Sequence, residues 1–345
     1  MTNNMENNKT TFKDFWNNLK ENFKDPTKRK IASKKAMIFF GVIFRAVILI
    51  GLSFVIIAPI LQKLSAALRH PSDITNPQVI WIPETWSFVN FEIGWEVLEY
   101  GSALFRTLFI STGCMFIQVV ASAIAGYAFA RLRFKGSNIV FLLVLLSLIV
   151  PTEAMDSARR MLLAYNTFFG LNLVGNIFAL FILAAFGQGI RSAIFIFLFR
   201  QFFKGLPVEL EESAQVDGAG VIRTFWSVML PNARGGIVTV ALFSFVWQWN
   251  DYYFANLLNY SSNFPLLATT LAGTTERLDV LMNTWVGAGR EVIQGIGDTS
   301  VTSNPAFLSL ISNTEALLLM APLLIGYFFV QKLFVESIER TGIVG

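Results

Sequence analysis

The sequence predicts an all-α membrane protein of six transmembrane helices with a helical loop projecting from one face. Three observations carry that reading. Apolar residues make up 54% of the chain and charged residues only 14%, where a soluble domain carries roughly a quarter charged residues. Phenylalanine and tryptophan are abundant, at 34 and 8, and such side chains suit lipid tails and the aromatic belts of a membrane interface. The apolar residues also gather into long runs, and about 20 of them are needed for a helix to cross the hydrocarbon core.

In chain order, the first 36 residues form a basic head with Lys28, Arg29, Lys30, Lys34 and Lys35. Phe12, Phe15, Trp16, Leu19 and Phe23 recur there at helical spacing, so the head is either an amphipathic helix on the membrane surface or a loosely ordered basic tail. The remainder, 37–345, holds apolar runs near 37–61, 103–130, 138–156, 174–199, 236–258 and 314–335. No small-residue cleavage site follows the first run, which therefore reads as a retained anchor. Loops near 62–102 and 259–313 are long enough for structure of their own.

Lys and Arg set the orientation. With six spans, eighteen basic residues fall on the side of the termini and six on the other, which places both termini in the cytoplasm. The net charge of +4 is distributed as topology rather than as a nucleic-acid footprint, and no nucleic-acid partner is expected. Membrane lipid is the expected surrounding. Cys114 is the one cysteine and reads as a small hydrophobe, so no disulfide framework and no metal site is expected.

The chain has little equipment for catalysis. His70, the one histidine, lies in a Leu68-Arg69-His70-Pro71 loop, and the sequence contains neither H-E-x-x-H nor G-x-S-x-G. A Walker A loop is also absent from the sequence, so the cradle that holds ATP phosphates is not here. No catalytic residue and no cofactor on this chain is expected; ATP-driven work would come from a partner.

The loop over 205–232 is too polar to span and too patterned to be a plain connector. Pro207 suits a helix start and Glu209, Glu211 and Glu212 favour the positive end of its dipole. Asp217, Gly218 and Gly220 permit a sharp turn, after which Val221, Phe225, Trp226 and Met229 form an apolar side before Pro231 is expected to stop the second helix. Taken alone, this is either a rigid knob or an ordinary interfacial hairpin.

The same loop resembles the coupling motif of ABC-importer permeases: E-A-A, three residues, G, nine residues, I, one residue, L-P. Here it reads Glu212-Ser213-Ala214, Gly218, then Val228-Met229-Leu230-Pro231, with each spacing kept and with Ser213 and Val228 as the two departures. Ala125 to Arg131 followed by Phe134-Lys135-Gly136, the stretch Trp249-Asn250-Asp251, and the tail from Gln331 to Gly345 are similar to the carbohydrate branch, whose familiar member is the maltose-type inner-membrane permease. The long head and the 268–313 insertion depart from that pattern.

The resemblance implies a type I importer permease fold in the cytoplasmic membrane of a prokaryote. It implies as partners a second homologous permease, two ATPase subunits that bind ATP and Mg, and an extracytoplasmic solute-binding protein that delivers a sugar or oligosaccharide. Glu212, Ala214, Asp217, Gly218, Leu230 and Pro231 would form the ATPase-coupling site, and the tail at Gly342 and Gly345 would reach the same interface. Polar groups in spans are costly and so are candidates for the solute path: Gln188 and Arg191 in the fourth, and Gln248, Asn250 and Asp251 in the fifth, with Trp247 or Trp249 covering a sugar face. The bland alternative is that they bond other helices. A permease for another polar solute, and a self-sufficient channel or structural subunit, stand as the competing functions.

Overall fold

The computed structural model describes residues 26–71, 73, 76, 81–132, 134–164, 172–260, 263–287 and 304–342. Most of the head (1–25), the stretch 288–303 of the insertion, and Gly345 lie outside the described residues. Contacts divide the chain into Met1–Lys63 and Leu64–Gly345.

The first unit, as described, is the greater part of helix α1 (Pro26–Ala67). Its stretch Ser33–Ala67 is long and apolar enough to cross a membrane, and the helix continues through Pro59.

In the second unit, α2 (Val89–Val97) is a short helix, and α3 (Tyr100–Arg131) follows after a left-handed Glu99. Asn90 donates its side-chain amide to the carbonyls of Ala67 and Arg69 at 3.0 and 2.6 Å, which ties α2 to that part of the chain. Helix α3 is the axis of the unit, packed along α7 (Ser192–Gly205) and α11 (Arg234–Trp249), with α11 also lying on α15 (Pro305–Gly342). Gly126 is where α3 and α7 approach most tightly: a Cβ there would stand 2.5 Å from Phe199 Cβ and 2.9 Å from the Arg200 nitrogen. Small residues let membrane helices close to backbone contact in this way. Phe195, Phe199, Phe203, Phe225 and Met229 fill the core between α3, α7 and the loop that follows α7.

The six expected spans are not six continuous helices. Among the described residues, α1, α3 and α15 are long and apolar enough to cross a membrane, and a fourth is reached if the pair Val221–Asn232 and Arg234–Trp249, bent by 80°, counts as one. The reasons are local. The third apolar run is helical only over α4 (Ser137–Ile149), because Val150 turns extended ahead of Pro151; a 3₁₀ turn (Thr152–Met155) and α5 (Asp156–Ala164) then follow. The fourth run breaks between α6 (Phe178–Ala185) and α7, where Gly187 and Arg191 take left-handed φ of 69° and 53°. The fifth run breaks after Trp249 and resumes as α12 (Tyr253–Leu258).

Past α12, the chain forms α13 (Leu267–Ala272) and α14 (Thr274–Gly287) before α15. Leu278, Met282 and Trp285 of α14 pack with Ile93 and Val97 of α2 and with Phe307, Leu310 and Ile311 of α15. The buried Glu315 of α15 accepts a hydrogen bond from the Thr274 hydroxyl. Helix α15 runs through Pro322 as far as Gly342, so the expected tail begins as a continuation of the last helix.

Candidate functional site

Two groups of residues flagged by the sequence sit at opposite ends of α7 and α11. Helix α7 is 14 residues long, roughly 21 Å at 1.5 Å per residue, and its C-terminal end leads into the loop while its N-terminal end opens on a cavity.

At the loop end, α8 (Glu209–Val216) starts two residues after Pro207 with Glu209, Glu211 and Glu212 in its first turn. Gly218 then takes φ +78°, a conformation that costs glycine little and a Cβ-bearing residue more, and the Ala219 N–H closes the turn on the Ala214 carbonyl at 2.9 Å. The chain continues as α9 (Val221–Thr224), a π-type segment (Phe225–Met229) and α10 (Leu230–Asn232). Pro231 was expected to stop this helix, and the helix ends one residue beyond it, at Asn232, with the 80° bend at Ala233.

The apolar side of that second helix also divides. Val221, Phe225, Met229 and Trp226 occupy an arc of about 140° at 100° per residue, and only its middle is buried: Phe225 and Met229 face the core while Val221 and Trp226 are half exposed at 52% and 49%. With Ile222 and Val216 they make an outward apolar surface. Glu212, Asp217 and Pro231 are exposed, Leu230 is half-buried and Ala214 is buried within the chain rather than presented outward.

A residue that the sequence reading left without a role fixes the loop to the bundle. Glu211 accepts a hydrogen bond from the Tyr127 hydroxyl at 2.9 Å and pairs with Arg131 at 3.8 Å. Arg131 in turn donates to the Phe203 carbonyl at 2.7 Å and to that of Leu206, capping the end of α7. The Tyr127 ring meets Phe203 and Phe225 with centroids 5.6 and 5.2 Å away. The signal was present: Tyr127 and Arg131 are i and i+4 on α3, a spacing that puts both on one face.

At the other end, a cavity of about 1100 Å³ opens between the end of α4, α5, the 186–191 break with the start of α7, and the break after α11 with α12. It gathers Gln188, Arg191, Trp247, Asn250 and Asp251, five of the seven flagged path residues. Arg191 lies over the Trp247 ring, 5.0 Å from its centroid. Asp251, 4% exposed, accepts from the Phe254 N–H at 3.1 Å, Gln248 Nε2 at 3.4 Å and the Tyr260 hydroxyl at 3.5 Å. The structure places the other two elsewhere. Gln248 is buried and holds Asp251, and Trp249, 1% exposed, donates its indole N–H to the Leu319 carbonyl at 3.1 Å, joining α11 to α15. Neither lines the cavity.

Behind the cavity sits a polar cluster the sequence reading missed. Gln118, buried in α3, donates to the Ile190 carbonyl at 2.6 Å and to Ser192 Oγ at 2.8 Å, and accepts from the Ser244 hydroxyl at 2.8 Å. One amide thus ties α3, the 186–191 break, α7 and α11. An amide at mid-span should have flagged it, since unpaired amides in hydrocarbon are costly.

Residues 118–340 match the family described as Binding-protein-dependent transport system inner membrane component. The chain belongs to this family. Among relatives of this permease, the diacetylchitobiose uptake system permease NgcG of Streptomyces coelicolor is 28% identical over 64% of this chain and 70% of its own length. The maltodextrin transport system permease MdxG of Bacillus subtilis is 27% identical over 85% and 93%. The sn-glycerol-3-phosphate transport system permease UgpE of Yersinia enterocolitica is 27% identical over 67% and 80%. In fold, the permease is similar to a chain of a bacterial ABC transporter involved in import of the acidic polysaccharide alginate, with a TM-score of 0.64 and 20% identity over 87% of this chain and 98% of that one. The chain is thus an inner-membrane permease component of a binding-protein-dependent ABC importer.

Proposed function

We propose that this permease forms half of the path for a sugar or oligosaccharide and converts closure of two ATPase subunits into alternating access. The observation that carries the reading is the loop: Glu211 is held by Tyr127 and Arg131 at the foot of α3 while Val216, Val221, Ile222 and Trp226 stand outward. A surface of that kind, rigidly joined to a helix bundle, suits docking in a groove of an ATPase, so that partner closure moves the bundle as a body. Glu212 and Asp217 would supply polar contacts at its rim, Gly218 the turn, and Ala214, Leu230 and Pro231 the packing that keeps its shape. Gly342, at the end of α15, and Gly345 would lie near the same interface.

A second homologous permease would complete the path, an extracytoplasmic binding protein would deliver the solute, and ATP with Mg would be held by the ATPases. Both termini would be cytoplasmic. The sugar is supported by the names of the NgcG and MdxG relatives; the UgpE similarity favours, as a second reading, a different polar solute. Affinity co-purification of the tagged chain from its native membranes tests the assembly. Recovery of a Walker-type ATPase with a second permease is the expected result, and a chain that returns alone under conditions that preserve such complexes would instead point to a self-sufficient channel or structural subunit.

A further inference from the structure

The cavity at the α5 end is lined by Arg159, Arg160 and Arg191 against Asp156 and Asp251. The five charges are not equally available. Asp156 accepts the Tyr253 hydroxyl, with Arg159 beside that pair. Asp251 is buried, and its two oxygens already receive three donors from Phe254, Gln248 and Tyr260. Asp251 is therefore turned to the protein, and Asp156 is engaged through one oxygen. Arg160 and Arg191 are exposed, and neither is in an ion pair among the described residues.

Arg191 is further prepared for a ligand. Its left-handed backbone, φ +53°, sits at the break before α7, and its guanidinium lies on the Trp247 ring, whose indole is stacked in turn on Phe195 with centroids 5.4 Å apart. Stacking fixes the plane of the fork while leaving its N–H edges free to bond. A guanidinium so held matches a carboxylate or phosphate through two parallel hydrogen bonds. A neutral hydroxyl gains less from it. The half-exposed ring that the sequence reading offered to a sugar face is covered by this cation, which further disfavours a neutral sugar stacked on Trp247.

We propose that the solute admitted to this cavity carries negative charge, as a carboxylated or phosphorylated saccharide or polyol, with Arg191 and Arg160 as its ion-pairing groups. This rests on the reading of the chain as a solute-path permease and adds the charge of the solute to it.

The test uses the complex recovered from native membranes, with Cys114→Ser to remove the one native thiol and Ser157→Cys to place a reporter on the cavity wall. Labelling by an anionic sulfonatoethyl and a cationic trimethylammonioethyl methanethiosulfonate is compared, each normalised to free cysteine. Faster anionic labelling is expected, with the preference lost in R160Q and, as an independent variant, R191Q. Digalacturonate or glycerol 3-phosphate should slow the reaction, and neutral galactobiose should not; whichever anion protects identifies the carboxylate or the phosphate. Equal or cation-favoured labelling, protection by galactobiose as strong as by the anions, or no protection by either anion overturns the proposal. A chain that purifies without any ATPase defeats the permease reading beneath it, whereas an assembled, ATP-hydrolysing complex with no charge preference defeats this inference alone.

Discussion

The two ends of α7 and α11 are built on opposite plans. At the loop end the backbone is helical almost throughout and is tied down by charge-assisted bonds: Arg131 caps α7 and pairs with Glu211, and aromatic rings fill the space between. At the cavity end the backbone gives up its regular bonds in three places, after Ile149, over 186–191 and after Trp249. Irregular backbone is tolerated in a membrane protein where it lines a cavity, as residues of all three breaks do here. On the proposed function, this contrast would give stiffness to the end that docks on a partner and adaptability to the end that meets solute.

Predictions that break this contrast at its joint should act most strongly. Gly126→Leu drives a side chain into Phe199 and the Arg200 backbone at the α3–α7 crossing, where backbone cannot yield as a flexible side chain can. Overpacking of this kind costs about 1–3 kcal/mol or more, and loss of both ends together is expected, read as loss of folded protein by gel filtration in detergent. Normal yield and elution would show that the two helices are free to part, and with them the rigid-body account would go. Next in size, Gly218→Val puts a β-branched residue at φ +78°, a strain of about 1–3 kcal/mol, in a turn where space itself is open. Here the fold should survive and ATP hydrolysis should continue while uptake falls; uptake equal to that of the parent would remove the coupling role of the turn.

How each end could be read from the sequence follows from the same contrast. The loop is contiguous, so its helix, turn and helix appear as one run of spaced residues from Glu212 to Pro231. Even there, the π-type segment Phe225–Met229 is announced by no spacing. The cavity draws Arg160, Gln188, Arg191 and Asn250 from three segments that only tertiary packing unites. Arg159 and Arg160 accordingly read as loop charges, and Trp249, beside the cavity residue Asn250, faces α15 instead because successive helical residues are about 100° apart. The breaks within the third, fourth and fifth apolar runs escaped span counting for a related reason. Hydropathy registers apolar length and is blind to Pro151, Gly187 and Arg191, which interrupt the helix without lowering apolar content much.

The remaining two predictions sharpen the comparison by removing one tether at each end. Gln118→Leu withdraws the amide that holds the 186–191 break, leaving the Ile190 carbonyl and the Ser244 hydroxyl without their partner. A buried polar group left unpaired costs about 1–3 kcal/mol. The cavity end should loosen while the loop end stays as it was: a cysteine at Ser157 should label faster, and a cysteine at Asp217 at its parental rate. Equal changes at both positions would mean that the ends are one mechanical unit.

Glu211→Gln makes the smallest change and separates two components of the loop tether. The amide oxygen can still accept from Tyr127, so the 2.9 Å hydrogen bond is kept, whereas the 3.8 Å attraction to Arg131 is lost. Arg131 keeps its bonds to Phe203 and Leu206, so it is not left uncompensated, and a loss of about 1 kcal/mol or less is expected. Glu211→Ala removes both components and should lower the ratio of uptake to ATP hydrolysis further than the glutamine does. If the two variants behave alike, the charge carries the tether and the Tyr127 hydroxyl is incidental. If the glutamine matches the parent and the alanine does not, the hydrogen bond to α3 is what makes the loop move with the bundle.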